Sequence, residues 1–105
     1  MAATPESKVK KSVRRVLDAL GAYYVMPVTS GYGNQGAPDF LICLKGRFIG
    51  IECKAGTNQP TALQKLNLQK IIDAGGVSLV INEDGVGNLT DLLNGECNET
   101  GNNSN

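Results

Sequence analysis

The sequence has no histidine and no tryptophan, and only 5% of its 105 residues are aromatic. With no histidine and no clustered cysteines, no ligand set remains for a structural zinc ion. The three cysteines are an odd number, which fits a reducing compartment better than a disulfide framework. No apolar run approaches the roughly 20 residues of a membrane helix, and the N-terminus lacks the apolar core of a signal peptide. A cytoplasmic protein is expected. There is no internal repeat. Net charge is also missing, since ten basic residues balance ten acidic ones. Neutrality argues against a polyanionic partner, but the distribution argues for one. Lys8, Lys10, Lys11, Arg14 and Arg15 crowd into one short stretch, whereas Glu83, Asp84, Asp91, Glu96 and Glu99 lie in the last quarter. An asymmetric field can steer a polyanion; a solvated helix face also accounts for such a run.

What is present suits a single domain with a modest core, at 41% apolar and 19% charged residues. Thr4-Pro5 reads as a helix start, with Thr4 as N-cap, and the helix is predicted to run to about Leu20, where Gly21 stops it. Val9, Val13, Val16, Leu17 and Leu20 form its apolar stripe. Ala22 to Val28 has the composition of a first strand. A glycine-rich loop, 30–36, implies close backbone approach or tight turns. Thr61 opens a second helix and forms a capping box with Gln64; Leu63, Leu66, Leu68, Ile71 and Ile72 supply its apolar positions. Gly75-Gly76 ends it. Val77 to Ile81 reads as a strand buried on both faces, and Asn88 to Leu93 as a short last helix. Residues 1–94 are expected to form the domain and 95–105, rich in Gly, Asn, Glu and Ser, a disordered tail. The order αβββαβ(α) suits a mixed sheet flanked by helices.

The stretch from Gly36 to Ala55 carries the chemistry. Asp39 to Leu44 and Arg47 to Lys54 read as the strands of a hairpin joined at Lys45-Gly46. In that register Leu44 faces Arg47, Ile42 faces Ile49, Phe40 faces Ile51 and Asp39 faces Glu52. The period of two returns Lys54 to the face of Glu52, so Asp39, Glu52 and Lys54 converge at one end, opposite an apolar face. A slip of one residue would part Asp39 from Glu52. Cys43 and Cys53 are too far apart along this hairpin to bond, and both read as small buried residues. Two carboxylates suit a hard divalent cation such as Mg²⁺ or Mn²⁺, and phosphodiester hydrolysis needs both a nucleophilic water and charge neutralisation. Cys53 is expected to offer the metal its backbone carbonyl, with its side chain in the core. Lys54 would hold or help activate the water and offset phosphate charge.

Pro38-Asp39 followed by Glu52-Cys53-Lys54 resembles the PD-(D/E)xK nuclease superfamily. The wider string, from Pro5-Glu6-Ser7-Lys8-Val9-Lys10-Lys11 through GYGNQGAPDF and GRFIGIECKAG to TALQ and AGG, resembles a stand-alone virus-type replication-repair nuclease (VRR-NUC) domain over roughly residues 4–82. The resemblance implies an α/β, restriction-endonuclease-like fold, a metal-dependent DNA endonuclease and a homodimer acting on branched DNA such as four-way (Holliday) junctions. It also implies a virus-type protein, of a phage if its host is bacterial, working in the host cytoplasm. It adds Glu6 and Gln64 to the catalytic set. The residues themselves leave each open: Glu6 equally favours the positive end of its helix, and Gln64 equally completes its cap. Lys8, Lys11 and Arg15 are candidate phosphate contacts. Tyr32 is either a DNA contact or an anchor for its loop. Asn34 and Gln35 stand where family members often carry basic residues, which removes one candidate phosphate clamp. Three other classes fit the residues: a DNA-binding module of the same fold that does not cut, an RNA-processing nuclease, and, given the zero net charge, a purely structural or inhibitory small protein.

Overall fold

The computed structural model describes residues 4–28 and 36–95. Tyr32, the loop residues Asn34 and Gln35, and the polar tail beyond Gly95 lie outside them.

Helix α1 spans Pro5–Ala19, starting where its cap dictates: the Thr4 hydroxyl accepts from the Ser7 amide at 3.1 Å, and Pro5 occupies the first turn. Gly21, at φ 70°, takes the chain out of the helix. Strands β1 (Tyr23–Val25), β2 (Phe40–Leu44), β3 (Arg47–Cys53) and β4 (Val77–Ile81) form one sheet in the order β1-β2-β3-β4. β1 is shorter than its composition suggests. Its first two pairs are antiparallel, and β4 runs parallel to β3, reached through α2 (Ala62–Asp73). Helix α3, Val86–Leu93, begins two residues before its predicted start.

The hairpin has the predicted register, with Phe40 opposite Ile51, Ile42 opposite Ile49 and Leu44 opposite Arg47. Its turn explains why: Lys45 and Gly46 both have positive φ, 53° and 78°, as a type I′ turn requires. The turn is tied to α3, where Arg47 donates to the Leu93 carbonyl and Lys45 to the Asn94 side chain.

One sheet face, formed by Phe40, Ile42, Leu44, Ile49, Ile51 and Cys53, packs on Val9, Val13 and Leu17 of α1 and on Leu89 and Leu93 of α3. That is the core. Tyr24 closes its β1 side: its ring meets Phe40 edge-on at 5.7 Å, and its hydroxyl accepts from Arg14 and donates to Asp18. Helix α2 lies across the other face. There Gly50 lets Ile71 and Pro38 approach the strand, and Ser78 of β4 donates to the Leu68 carbonyl of α2.

Three expectations are corrected here. β4 is an edge strand, and Val77 and Val80 are exposed instead of buried on both sides. On α2 only Leu68 among the apolar residues is buried; Leu63, Leu66 and Ile72 are exposed, because this helix covers the sheet along one narrow line. Cys43 is exposed, while Cys53 is buried as expected. The period of two places Cys43 with Phe48 on the α2 side of the hairpin, where α2 does not reach it.

Candidate active site

The site lies where the first turn of α1 meets the far end of the hairpin. Asp39 sits just before β2 and takes over where the ladder stops: its Oδ2 accepts the Cys53 amide at 2.8 Å. Its other oxygen, Oδ1, faces the ammonium of Lys10 at 3.3 Å. Glu52, inside β3, is 1% exposed. Its Oε2 lies 3.4 Å from Lys54 Nζ. Glu6 comes from the capped first turn of α1. One carboxylate oxygen from each of Glu6, Asp39 and Glu52 lies within 4.8 Å of the others, a spacing that could hold a metal ion.

Lys54 is held by its backbone as well as by Glu52. Its amide donates to the Ile81 carbonyl at 3.0 Å, which carries the β3–β4 pairing one residue beyond the strand. The next turn is clamped from the end of β4: the Glu83 carboxylate accepts the Gly56 amide at 2.8 Å, and the Asn82 side chain donates to the Gly56 carbonyl at 3.0 Å. That amide holds the Glu83 carboxyl below its ordinary pKa. Composition alone marked Glu83 as one of several scattered acids.

The electrostatics centre on Glu52. Burial, and after it the nearby Asp39 charge, push its pKa up to about 7, against the opposing pull of Lys54. Its Oε1 is buried and makes no hydrogen bond among the described residues. A buried carboxylate oxygen without a partner is costly, and a hard cation is the partner that carboxylates at this spacing suit. The residues present therefore fit a divalent cation. Burial, with the two carboxylates also opposing ionisation, pushes the Cys53 thiol up to about 12. Its sulfur remains a neutral thiol, which makes it a poor metal ligand beside three carboxylates.

Of the residues singled out in the sequence, Glu6, Asp39, Glu52 and Lys54 come together. Gln64 serves its own helix: its Oε1 accepts the Thr61 amide at 2.9 Å, completing the capping box. Lys8, Lys11 and Arg15 are exposed. At about 100° per residue they project from the side of α1 opposite Glu6. Lys10 occupies the site instead. Sequence reasoning grouped it with the other basic residues, yet its position four residues after Glu6 places both on one helix face.

No family model matches the chain, and no curated protein does. A solved structure titled "VRR_NUC domain" is similar to it at a TM-score of 0.70 and 27% identity, covering 85% of this chain and 97% of that one. A second, titled "VRR_NUC domain protein", covers 100% of this chain and 96% of that one at a TM-score of 0.60; its 17% identity speaks to fold alone. The mixed sheet between helices and these neighbours agree on a restriction-endonuclease-like α/β fold, and the first neighbour supports a VRR-NUC, nuclease-type domain.

Proposed function

We propose that the protein is a metal-dependent, structure-selective DNA endonuclease. The observation that carries this reading is the convergence of Glu6, Asp39 and Glu52, with a buried, unpartnered Glu52 oxygen, beside the Lys54 ammonium. Asp39, Glu52, Glu6 and the Cys53 carbonyl would hold Mg²⁺ or Mn²⁺. Bound there, the cation would act as a Lewis acid on the phosphate and lower the pKa of the attacking water.

The chain's own groups do the rest. Lys54 is 12% exposed, anchored through its amide and paired at Nζ with Glu52, so its ammonium is a held donor beside the carboxylates. It orients the attacking water and neutralises charge that accumulates on the phosphate oxygens. Water gives up a proton to solvent as its oxygen bonds to phosphorus, the phosphorus–oxygen bond to one sugar breaks, and the departing oxygen takes up a proton from solvent, so the proton count is unchanged. Near neutral pH Glu52 is only partly ionised while its burial goes uncompensated, and a bound cation would favour the charged form.

A domain this small, with one site, is poorly equipped to read a long sequence and suits recognition of DNA shape. Branched DNA such as a four-way junction, cut by a homodimer with one site on each of two strands, is the substrate and assembly this reading adopts. Among the described residues no helix is long and apolar enough to cross a membrane.

The test is cleavage of a labelled four-way junction beside linear duplex, single-stranded DNA and a junction-shaped RNA, with Mg²⁺, Mn²⁺ or EDTA. Wild type should cut the DNA junction only with metal, and Lys54→Ala should lose at least about a hundredfold in rate. Binding without cutting under every metal would make the domain a binding module, and preferential cutting of RNA would reassign its substrate. A monomer on junction DNA in analytical ultracentrifugation would remove the paired cut.

A further inference from the structure

Among the described residues, Lys10 is the one charged group at the site that the proposed reaction leaves without work. Its Nζ stands 3.3 Å from Asp39 Oδ1, and its side chain is 36% exposed. The stem therefore reaches in from α1 while the ammonium keeps a route back to solvent. Burial lowers its pKa, but Asp39, and behind it Glu6, more than offset this and raise it overall, so the side chain is a cation at neutral pH. Asp39 has little freedom to turn away, since its other oxygen is bound to the Cys53 amide.

An ammonium and a divalent cation that use the same carboxylates repel each other at contact distance. Both Asp39 oxygens are already engaged, one by the Cys53 amide and one by Lys10, so the ion must take Oδ1 from the ammonium. Glu52, by contrast, keeps Oε1 unpartnered among the described residues while Oε2 faces Lys54. Lysine is suited to yielding, because its charge is compact and its four-carbon stem is flexible. Once displaced, the ammonium would remain tethered to the first turns of α1, within reach of a phosphate oxygen brought to the carboxylates.

We propose that Lys10 is the intrinsic counter-ion of the acidic site, competing with the divalent cation for Asp39, and that on cation binding it transfers to a phosphate oxygen of the DNA as a substrate-positioning residue. This rests on the nuclease reading above. It separates Lys10 from Lys54, which sits in the turn after β3 and stays paired with Glu52, and from Lys8, Lys11 and Arg15, which point away from the site. Its signature is opposed effects on the two ligands. Removing the ammonium strengthens metal binding and weakens DNA binding.

The experiment titrates Mn²⁺ into the full chain by calorimetry, for wild type, Lys10→Met, Lys10→Arg and Asp39→Asn. DNA affinity is then measured by fluorescence anisotropy on a labelled four-way junction in Ca²⁺. Methionine keeps most of the apolar stem and removes the charge. Lys10→Met should bind Mn²⁺ about threefold to tenfold more tightly than wild type, the size expected when a half-exposed ammonium no longer opposes the ion. It should bind the junction about threefold to tenfold more weakly. Lys10→Arg should stay near wild type in both, and Asp39→Asn should lose most Mn²⁺ binding. If Lys10 only braces α1 against the hairpin, Lys10→Met will melt at a lower temperature with Mn²⁺ affinity unchanged or weaker, and the proposal is overturned. Unchanged junction affinity in Lys10→Met overturns it as well. If wild type binds no Mn²⁺, the metal-dependent reading falls together with this one; if it binds Mn²⁺ and Lys10→Met binds it no better, only the role of Lys10 falls.

Discussion

Glu52 has a pKa near 4.5 as an isolated carboxyl and about 7 in the fold, chiefly because it is buried. The folded protein thus holds the proton more tightly than the unfolded chain does. Stability from this group is complete below pH 4.5 and is lost as pH rises through 7. In EDTA the melting temperature of wild type should therefore fall across that window. Glu52→Gln resembles the protonated carboxyl and has no proton to lose, so it should flatten the slope and melt at least about 5 °C higher than wild type at pH 8. Adding Mn²⁺ at pH 8 should raise the melting temperature of wild type and leave Glu52→Gln nearly unmoved, since the ion repays a charge that glutamine lacks. Scanning calorimetry at four or five pH values is enough. A wild-type profile as flat as that of Glu52→Gln would mean that the carboxylate is adequately solvated in the fold.

At the scale of elements, the site depends on how closely α2 approaches the segment leading to Asp39. Gly36 is the tightest point. A Cβ there would lie 2.4 Å from Asn67 Nδ2, and 2.7 Å from both Leu63 Cγ and the Leu63 carbonyl oxygen. The carbonyl belongs to the helix backbone and cannot turn aside, so either α2 or the Gly36–Asp39 segment must shift. Gly36→Ala should cost about 2 kcal/mol or more by thermal unfolding and weaken Mn²⁺ binding, because Asp39 is three residues away. Gly50→Ala is the milder comparison: its nearest neighbour is the end of the Ile71 side chain, at 2.6 Å, which has rotamers to spare. The same contrast governs what the sequence discloses. The hairpin and its register are legible because a Lys-Gly turn with positive φ and a period of two leave one arrangement, and that arrangement brings Asp39, Glu52 and Lys54 together. Caps are legible because Thr4 and Thr61 bond within three residues. The exposure of Val80 on β4, and of Leu63 and Leu66 on α2, is not legible, because an apolar residue does not say whether a neighbouring layer extends far enough to cover it. Lys10 escaped for a similar reason: a basic residue among basic residues shows its partner only when Asp39, distant in sequence, is folded against it.

For the molecule as a whole, the question raised by the proposed function is how a chain with ten basic and ten acidic residues would hold a polyanion. The basic residues must act locally. Besides Arg14, which bonds the Tyr24 hydroxyl, α1 carries two groups of cations with different prospects: Lys10 beside the carboxylates, and Lys8, Lys11 and Arg15 exposed on the opposite side of the helix. A duplex is about 20 Å across, so one arm of a branched substrate could lie along the outer side of α1 while the branch sits at the carboxylates; a short linear strand bound at the site alone would not reach it. Each phosphate contact contributes roughly 0.9 to the slope of log affinity against log salt on duplex DNA. Replacing Lys8, Lys11 and Arg15 together with alanine should accordingly lower that slope by about 2 to 3 on a four-way junction, and by much less on a short single strand. Anisotropy titrations of both substrates at several salt concentrations measure this directly. Equal losses on both would mean that the three residues add only a diffuse field. No loss on either would put the DNA on another surface, with α1 contributing Glu6 and Lys10 and nothing further along its length.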